Sequence, residues 1–198
     1  MIGPTKFVLY ELKVEMPDGR EISFWFDGNG KVTRDNGSFE KPVANSFSLP
    51  HILCCPYATP TCKSTCYVHI LEANEKEFYG KYLLNKDAIE IILSDRHYQP
   101  VVVEAFAKYV NESCRGGFRW HISGDIFSLL YAIFIRQICE KTPEVSHWIY
   151  TRSYPYVSTL VGVPNLVVNL SADKDNLETM RAIAFYHGLR IAYLTKGE

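Results

Sequence analysis

The chain has 198 residues, 47% of them apolar, 22% charged and 14% aromatic, a balance that fits one globular domain and excludes disorder and fibrous repeats. A net charge of −1, from 21 basic against 22 acidic residues, argues against bulk electrostatic binding of nucleic acid, and the aromatic content implies a dense core or a flat stacking surface. No apolar run approaches the roughly 20 residues of a membrane span, and the N-terminus lacks a signal peptide's basic and apolar sections, which predicts a cytoplasmic chain with no membrane contact.

Residues 1–46 read as an N-terminal antiparallel β element. Lys6 to Glu15 alternates, Pro17-Asp18-Gly19-Arg20 is a turn, and Glu21 to Asp27 is a return strand; Gly28-Asn29-Gly30 and Asn36-Gly37 add turn signals. Residues 49–55 predict a short strand that ends in a cysteine-rich loop. Helical periodicity follows over 68–94, with a break near Gly80, and over 101–113 after Pro100. Short strands then alternate with helices: 118–123 leads to a helix at 126–140, 147–151 to a short one near 155–161, and 165–171 to one at 174–187. Gly188 ends that helix, and 189–195 closes the chain as a strand. Strands separated by helices predict parallel βαβ units.

Two of these strands are apolar on one face only. Phe118, Trp120 and Ile122 alternate with Arg119, His121 and Ser123; Leu166, Val168 and Leu170 alternate with Asn165, Asn169 and Ser171. A parallel sheet covered on both faces would be apolar throughout. The pattern favours an α/β fold in which residues 47–198 form a partial (β/α) barrel of parallel strands, with helices outside and a polar, ligand-filled lumen. The alternative is the under-covered edge of a doubly wound sheet.

Four of the six cysteines fall within thirteen residues, as Cys54-Cys55 … Cys62 … Cys66, followed by Tyr67. In a cytoplasmic chain such thiols are reduced or bind metal rather than pair as disulfides. Thiolates are soft ligands for zinc or iron–sulfur clusters. Cys55, Cys62 and Cys66 can wrap one centre, whereas Cys54 and Cys55 point to opposite sides in strand geometry. Three ligands suit a 4Fe–4S cluster with one open iron; a structural zinc wants a fourth, from Cys54, Cys114, His51 or His69. Cys139 lies on an apolar helix and reads as core, as does Cys114 in its simplest reading.

The cysteine loop followed by a βα series resembles the radical S-adenosylmethionine (SAM) superfamily, in which three cysteines after the first strand hold a 4Fe–4S cluster whose open iron binds SAM. The superfamily's usual spacing is three and then two residues; here it is six and then three. The chain more closely resembles an uncharacterised phage family, gene product eighty-eight, through Cys55, Cys62, Cys66, Tyr67 and Ser123-Gly124-Asp125. That resemblance covers roughly 47–195. It implies a radical-SAM-like partial barrel, carries no established activity, and places the chain in the cytoplasm of a bacterial host.

The radical SAM resemblance implies that Ser123-Gly124-Asp125, at a strand end, could receive the SAM amino group, as the superfamily's Gly-Gly-Glu-type motif does. The simpler reading has Asp125 capping the next helix. His121 would face the lumen as a proton donor, a ligand or a buried hydrogen-bonded side chain, the last being favoured. Arg152 could clamp a carboxylate or phosphate, or be a solvated residue at a strand end. Asn169 and Ser171 are polar lumen positions, with Thr195-Lys196 beside them. Asp173-Lys174-Asp175 reads as a helix-starting charge run. Tyr150 to Tyr156 could stack bases, but core and rim packing is the better reading at this net charge. No phosphate loop, nucleophile elbow or His-Glu-x-x-His helix is present. The expectation is an iron–sulfur protein that takes a small-molecule ligand, SAM, for radical chemistry. The competing expectation is a non-catalytic phage protein, stabilised by a zinc or iron–sulfur site, that binds a host partner.

Overall fold

The computed structural model describes residues 8–28, 43–69 and 76–195. The turns expected at Gly30 and Asn36-Gly37, and the position of Lys196, lie outside them.

Strands β1 (Val8–Glu15) and β2 (Glu21–Gly28) form the expected hairpin, paired from Val8 with Gly28 to Glu15 with Glu21. Gly19 takes φ +80° at its turn, a conformation open to glycine without a Cβ clash. The hairpin belongs to one seven-stranded sheet in which β2 continues into β3 (Ser46–Phe47), then β4 (Phe118–Trp120), β5 (His147–Thr151), β6 (Leu166–Ala172) and β7 (Arg190–Tyr193). The first two pairings are antiparallel and the rest parallel.

The sheet is open, with β1 and β7 at its edges. A closed barrel is therefore not formed: five parallel strands are fewer than the roughly eight needed to surround a filled interior. Strand order follows chain order without reversal, so right-handed crossovers lay their helices on one face. The sequence pattern anticipates the result. Phe118, Trp120, Ile149, Val168 and Leu170 are buried, while their neighbours Arg119, Trp148, Asn169 and Ser171 are only partly so.

Six α-helices are found among the described residues: α1 (Pro60–Thr65), α2 (Lys76–Ser94), α3 (Tyr98–Ser113), α4 (Leu129–Lys141), α5 (Val157–Leu160, after a 3-10 turn at Tyr154–Tyr156) and α6 (Leu177–His187). Helix α2 runs through Gly80 without the expected break, since one glycine costs only about 1 kcal/mol in a helix. Helix α3 starts before Pro100, which sits in the first turn where amide hydrogens have no helical acceptor. Ser128 caps α4 by accepting from the Tyr131 amide, so the start expected at 126, and with it the Asp125 cap, moves to Ser128. Gly188 ends α6 at φ +66°. The aromatic excess fills the core. Phe106 of α3 packs on Phe24, Phe26, Phe47 and Phe134 with ring centroids 4.8–5.4 Å apart.

Two expected strands are cut short where the site begins. Residues 49–55 form turns, because Pro50 offers no amide hydrogen and Ile52 takes φ +64°. Strand β4 stops at Trp120, because His121 takes φ +63°.

Candidate functional site

The cysteine loop leaves β3 and returns across the carboxyl ends of the parallel strands, where such sheets bind ligands. Thr59 and Pro60 start α1 for local reasons. The threonine hydroxyl accepts from the Cys62 amide, and proline fits the first helical position. Cys62 and Cys66 lie one turn apart and so share a side.

Long-range bonds then fix the loop. Thr59 donates to the Asp173 carboxylate at 2.6 Å, and the Thr61 amide to Asp175 at 2.8 Å. Asp173 is fully buried and also meets Arg152 Nη2 at 3.3 Å. The expected charge run at 173–175 thus precedes α6 and anchors the cysteine helix to the end of β6. A doublet of aspartates just after a polar-lined strand was the sequence signal for it.

Ser123-Gly124-Asp125 meets the loop from the other side. The Asp125 amide donates to the Cys54 carbonyl at 2.9 Å, and the Leu49 amide to the Ser123 carbonyl at 2.9 Å. Gly124 takes φ +82°, and a Cβ there would stand 2.6 Å from Leu49 Cβ. Its glycine is required by contact with the chain itself. Asp125 Oδ1 accepts from Thr151 Oγ1 at 2.6 Å and from the Ile126 amide at 2.8 Å; Oδ2 accepts from the Arg152 amide at 2.8 Å. Burial pushes its pKa up, against the pull of those donors.

The two motifs enclose one cavity of about 140 Å³. Cys55, Cys62 and Cys66 line it with Ser123, Gly124, Asp125, Arg152 and Ser171, and His51, Tyr67, Arg119, His121 and Tyr150 complete the wall. A second cavity of about 260 Å³ adjoins it and shares Cys62, Cys66, Tyr67, Arg152 and Ser171, adding Ala192, Tyr193 and Leu194. Asn169 is not brought in; its side chain donates to the Ile149 carbonyl at 3.5 Å.

His121 reaches the wall differently from the expected strand alternation. Its left-handed backbone turns the imidazole to Tyr131 of α4, with Nε2 2.9 Å from the hydroxyl. Burial, with the charge of Arg119, lowers its pKa to about 3. It is a neutral, buried, hydrogen-bonded side chain.

Cys54 is buried in the core with its thiol pushed up to about 12 by burial, while Cys55 and Cys62 are partly buried and also raised, first by burial. Arg152 acts on Cys62 in the opposite direction. Cys114 and Cys139 are core residues. His51 Nε2 lies 2.8 Å from His69 Nδ1, and His69 Nε2 lies 3.2 Å from the Lys63 carbonyl.

Among the described residues no three His, Cys, Asp or Glu side chains gather closely enough to hold one metal ion. The three loop thiols stand around a shared wall instead. Three thiolates are the number that a 4Fe–4S cluster with one open iron would take, and a structural zinc would take a fourth ligand.

Sequence reasoning missed the support beneath the site. Buried Asp27 accepts from Ser46, Ser48 and Tyr82 at 2.6–3.0 Å, the Ile122 amide donates to Ser48 Oγ, and Tyr67 donates to the Ile122 carbonyl. These bonds hold the turn that carries His121 to Asp125.

No helix among the described residues is long and apolar enough to cross a membrane. No curated protein and no solved structure matches the chain. A family profile described as Gene product 88 matches residues 23–198, from within β2 through the cysteine loop, the Ser-Gly-Asp turn and every later strand. On the extent of that match, the chain belongs to the Gene product 88 family.

Proposed function

We infer that the chain is an iron–sulfur protein whose 4Fe–4S cluster is held by Cys55, Cys62 and Cys66, with SAM as its small-molecule ligand. The observation that supports this reading is the single cavity lined by all three thiols and by the Ser123-Gly124-Asp125 turn. Bound there, the cluster would supply one-electron chemistry to SAM, on an open iron left by three-thiolate ligation. The chain's own part is to position and enclose. Asp173 and Asp175 hold the cysteine helix, the Asp125 amide ties the loop to β4, and Tyr67 closes one wall. The sheet that supports the reading is open, with five sequential parallel strands whose carboxyl ends carry the cavity.

The test is anaerobic purification with iron, sulfide and zinc quantified. About four iron and four sulfide per chain are expected. Cys55→Ser, Cys62→Ser and Cys66→Ser should each lose most of the iron, while Cys54→Ser and Cys139→Ser keep it. Stoichiometric zinc without labile sulfide overturns the reading, and so does retention of the cluster by Cys62→Ser.

A second reading, a non-catalytic protein that binds a host partner, is favoured by Phe185 and Tyr186. These are 92% and 82% exposed on α6 beside the open edge β7, and contiguous exposed aromatics mark interaction surfaces. Zinc in place of iron and sulfide would move the balance to it.

A further inference from the structure

The thiols and the Ser-Gly-Asp turn leave two guanidinium groups of the cavity unused. Arg119 projects from β4 and Arg152 follows β5, and both line the smaller cavity. Each is held before any ligand arrives. Arg119 Nε donates to the His121 carbonyl at 3.3 Å, and its guanidinium lies 5.7 Å from the Tyr150 ring centroid. Arg152 Nη2 meets Asp173, and its buried Nε has no hydrogen-bond partner among the described residues. A buried donor without a partner calls for an explanation.

The carboxylate in the same wall does not supply one. Asp125 takes its hydrogen bonds from Ile126, Thr151 and the Arg152 amide, so it is turned to protein donors. The cavity wall presents a ligand with two guanidinium groups, one of them also paired with Asp173.

We propose that this pocket binds an oxyanion, the carboxylate or phosphate group of a small ligand, between Arg119 and Arg152. Planar guanidinium forks match both groups with paired donors, and they stay charged at any working pH. Arg152 stands where the two cavities meet. A ligand anchored there extends its body into the larger cavity, against Tyr193 and Leu194. The inference deepens the reading above by naming the charged group of the ligand, and it rests on that reading for the cavity being a ligand site.

The experiment is titration calorimetry on the anaerobically purified chain, with inorganic phosphate, succinate and uncharged succinamide as probes. Phosphate or succinate should bind saturably and more weakly at high salt, and succinamide should not bind. Whichever anion binds more tightly identifies the source of the oxyanion. Arg119→Gln and Arg152→Lys should each weaken binding by roughly tenfold or more, since lysine keeps the charge but not the fork. Thermal unfolding checks the fold of each variant, and Arg119→Gln decides alone if Arg152→Lys does not fold. Failure of both anions to bind, or equal binding by the parent and Arg119→Gln, overturns the proposal. Iron and sulfide are measured on the same samples. Arginine-dependent anion binding without iron overturns the iron–sulfur reading alone; a full cluster with anion binding indifferent to both arginines overturns this proposal alone.

Discussion

Gly124 and His121 show how the site's turn is set by backbone conformation. Both take positive φ, at +82° and +63°. The glycine is needed twice over, for its φ and for the 2.6 Å approach that a Cβ would make to Leu49. Gly124→Ala should cost about 3 kcal/mol, from the left-handed penalty together with overpacking. The measurement is the urea midpoint at unchanged m value; a loss under about 1 kcal/mol would show that Leu49 yields easily. His121 bears its strain, about 1–3 kcal/mol for such a residue, against a backbone bond to Phe47 and a side-chain bond to Tyr131.

Helix α1 has only six residues, too few to be stable alone, so its place depends on partners from β6. Asp173→Asn removes the charge that faces Arg152 inside the protein and should cost about 3 kcal/mol, the usual penalty for breaking a buried pair. Amide hydrogen exchange should then speed at Cys62 more than at Trp120. Uniform acceleration would mean that Asp173 supports the sheet generally. Strand β3 depends on a similar bridge. It is two residues long, and Asn85 of α2 continues its role. The Asn85 amide bonds to Trp25 N, Trp25 O and Ser48 O at 2.7–2.9 Å. Asn85→Ala leaves one buried and two part-buried backbone groups without that partner and should cost about 2 kcal/mol, again read from denaturant midpoints. A loss near zero would mean that water replaces the amide.

Across the whole molecule, burial of two histidines gives stability a dependence on acid. His121 and His147 are held neutral, with pKa values lowered to about 3 and about 4 by burial, while an unfolded histidine titrates near about 6.5. Between those values the unfolded chain binds protons that the folded chain refuses. Stability therefore falls as pH drops from about 6.5 toward 4, by about 2 kcal/mol per histidine at pH 5. Asp27 and Asp125, raised by burial, act with the opposite sign: the folded chain holds their protons to higher pH, so acidification favours folding. A variant separates the two. His147→Gln can still bond to Thr142, the partner of His147 Nε2 at 2.7 Å. Between pH 7 and 5 it should lose about 2 kcal/mol less than the parent. Equal losses would show that His147 takes up its proton in the folded chain.

Features that depend on neighbours in the chain are legible in the sequence. The hairpin follows from alternation around Pro17-Asp18-Gly19, β5 from the run at 147–151, the stop of α6 from Gly188, and the one-sided sheet from Leu166, Val168 and Leu170 against Asn169 and Ser171. The grouping of Cys55, Cys62 and Cys66 was legible in the same way, because a short loop keeps its residues together. Features that depend on distant partners are set by the packing of the folded chain. Alternation puts His121 on the cavity face with Arg119, and both line the cavity, but no local signal marks the left-handed conformation that turns its ring to Tyr131. Asp125 reads in sequence as a receiver of the SAM amino group or as a helix cap, but its partners Thr151 and Arg152 lie across a strand pairing that composition does not reveal. Asp173 reads in sequence only as part of a helix-starting charge run, because its partners Thr59 and Arg152 stand 114 and 21 residues away. A buried carboxylate requires donors, and only the packed sheet brings them to it.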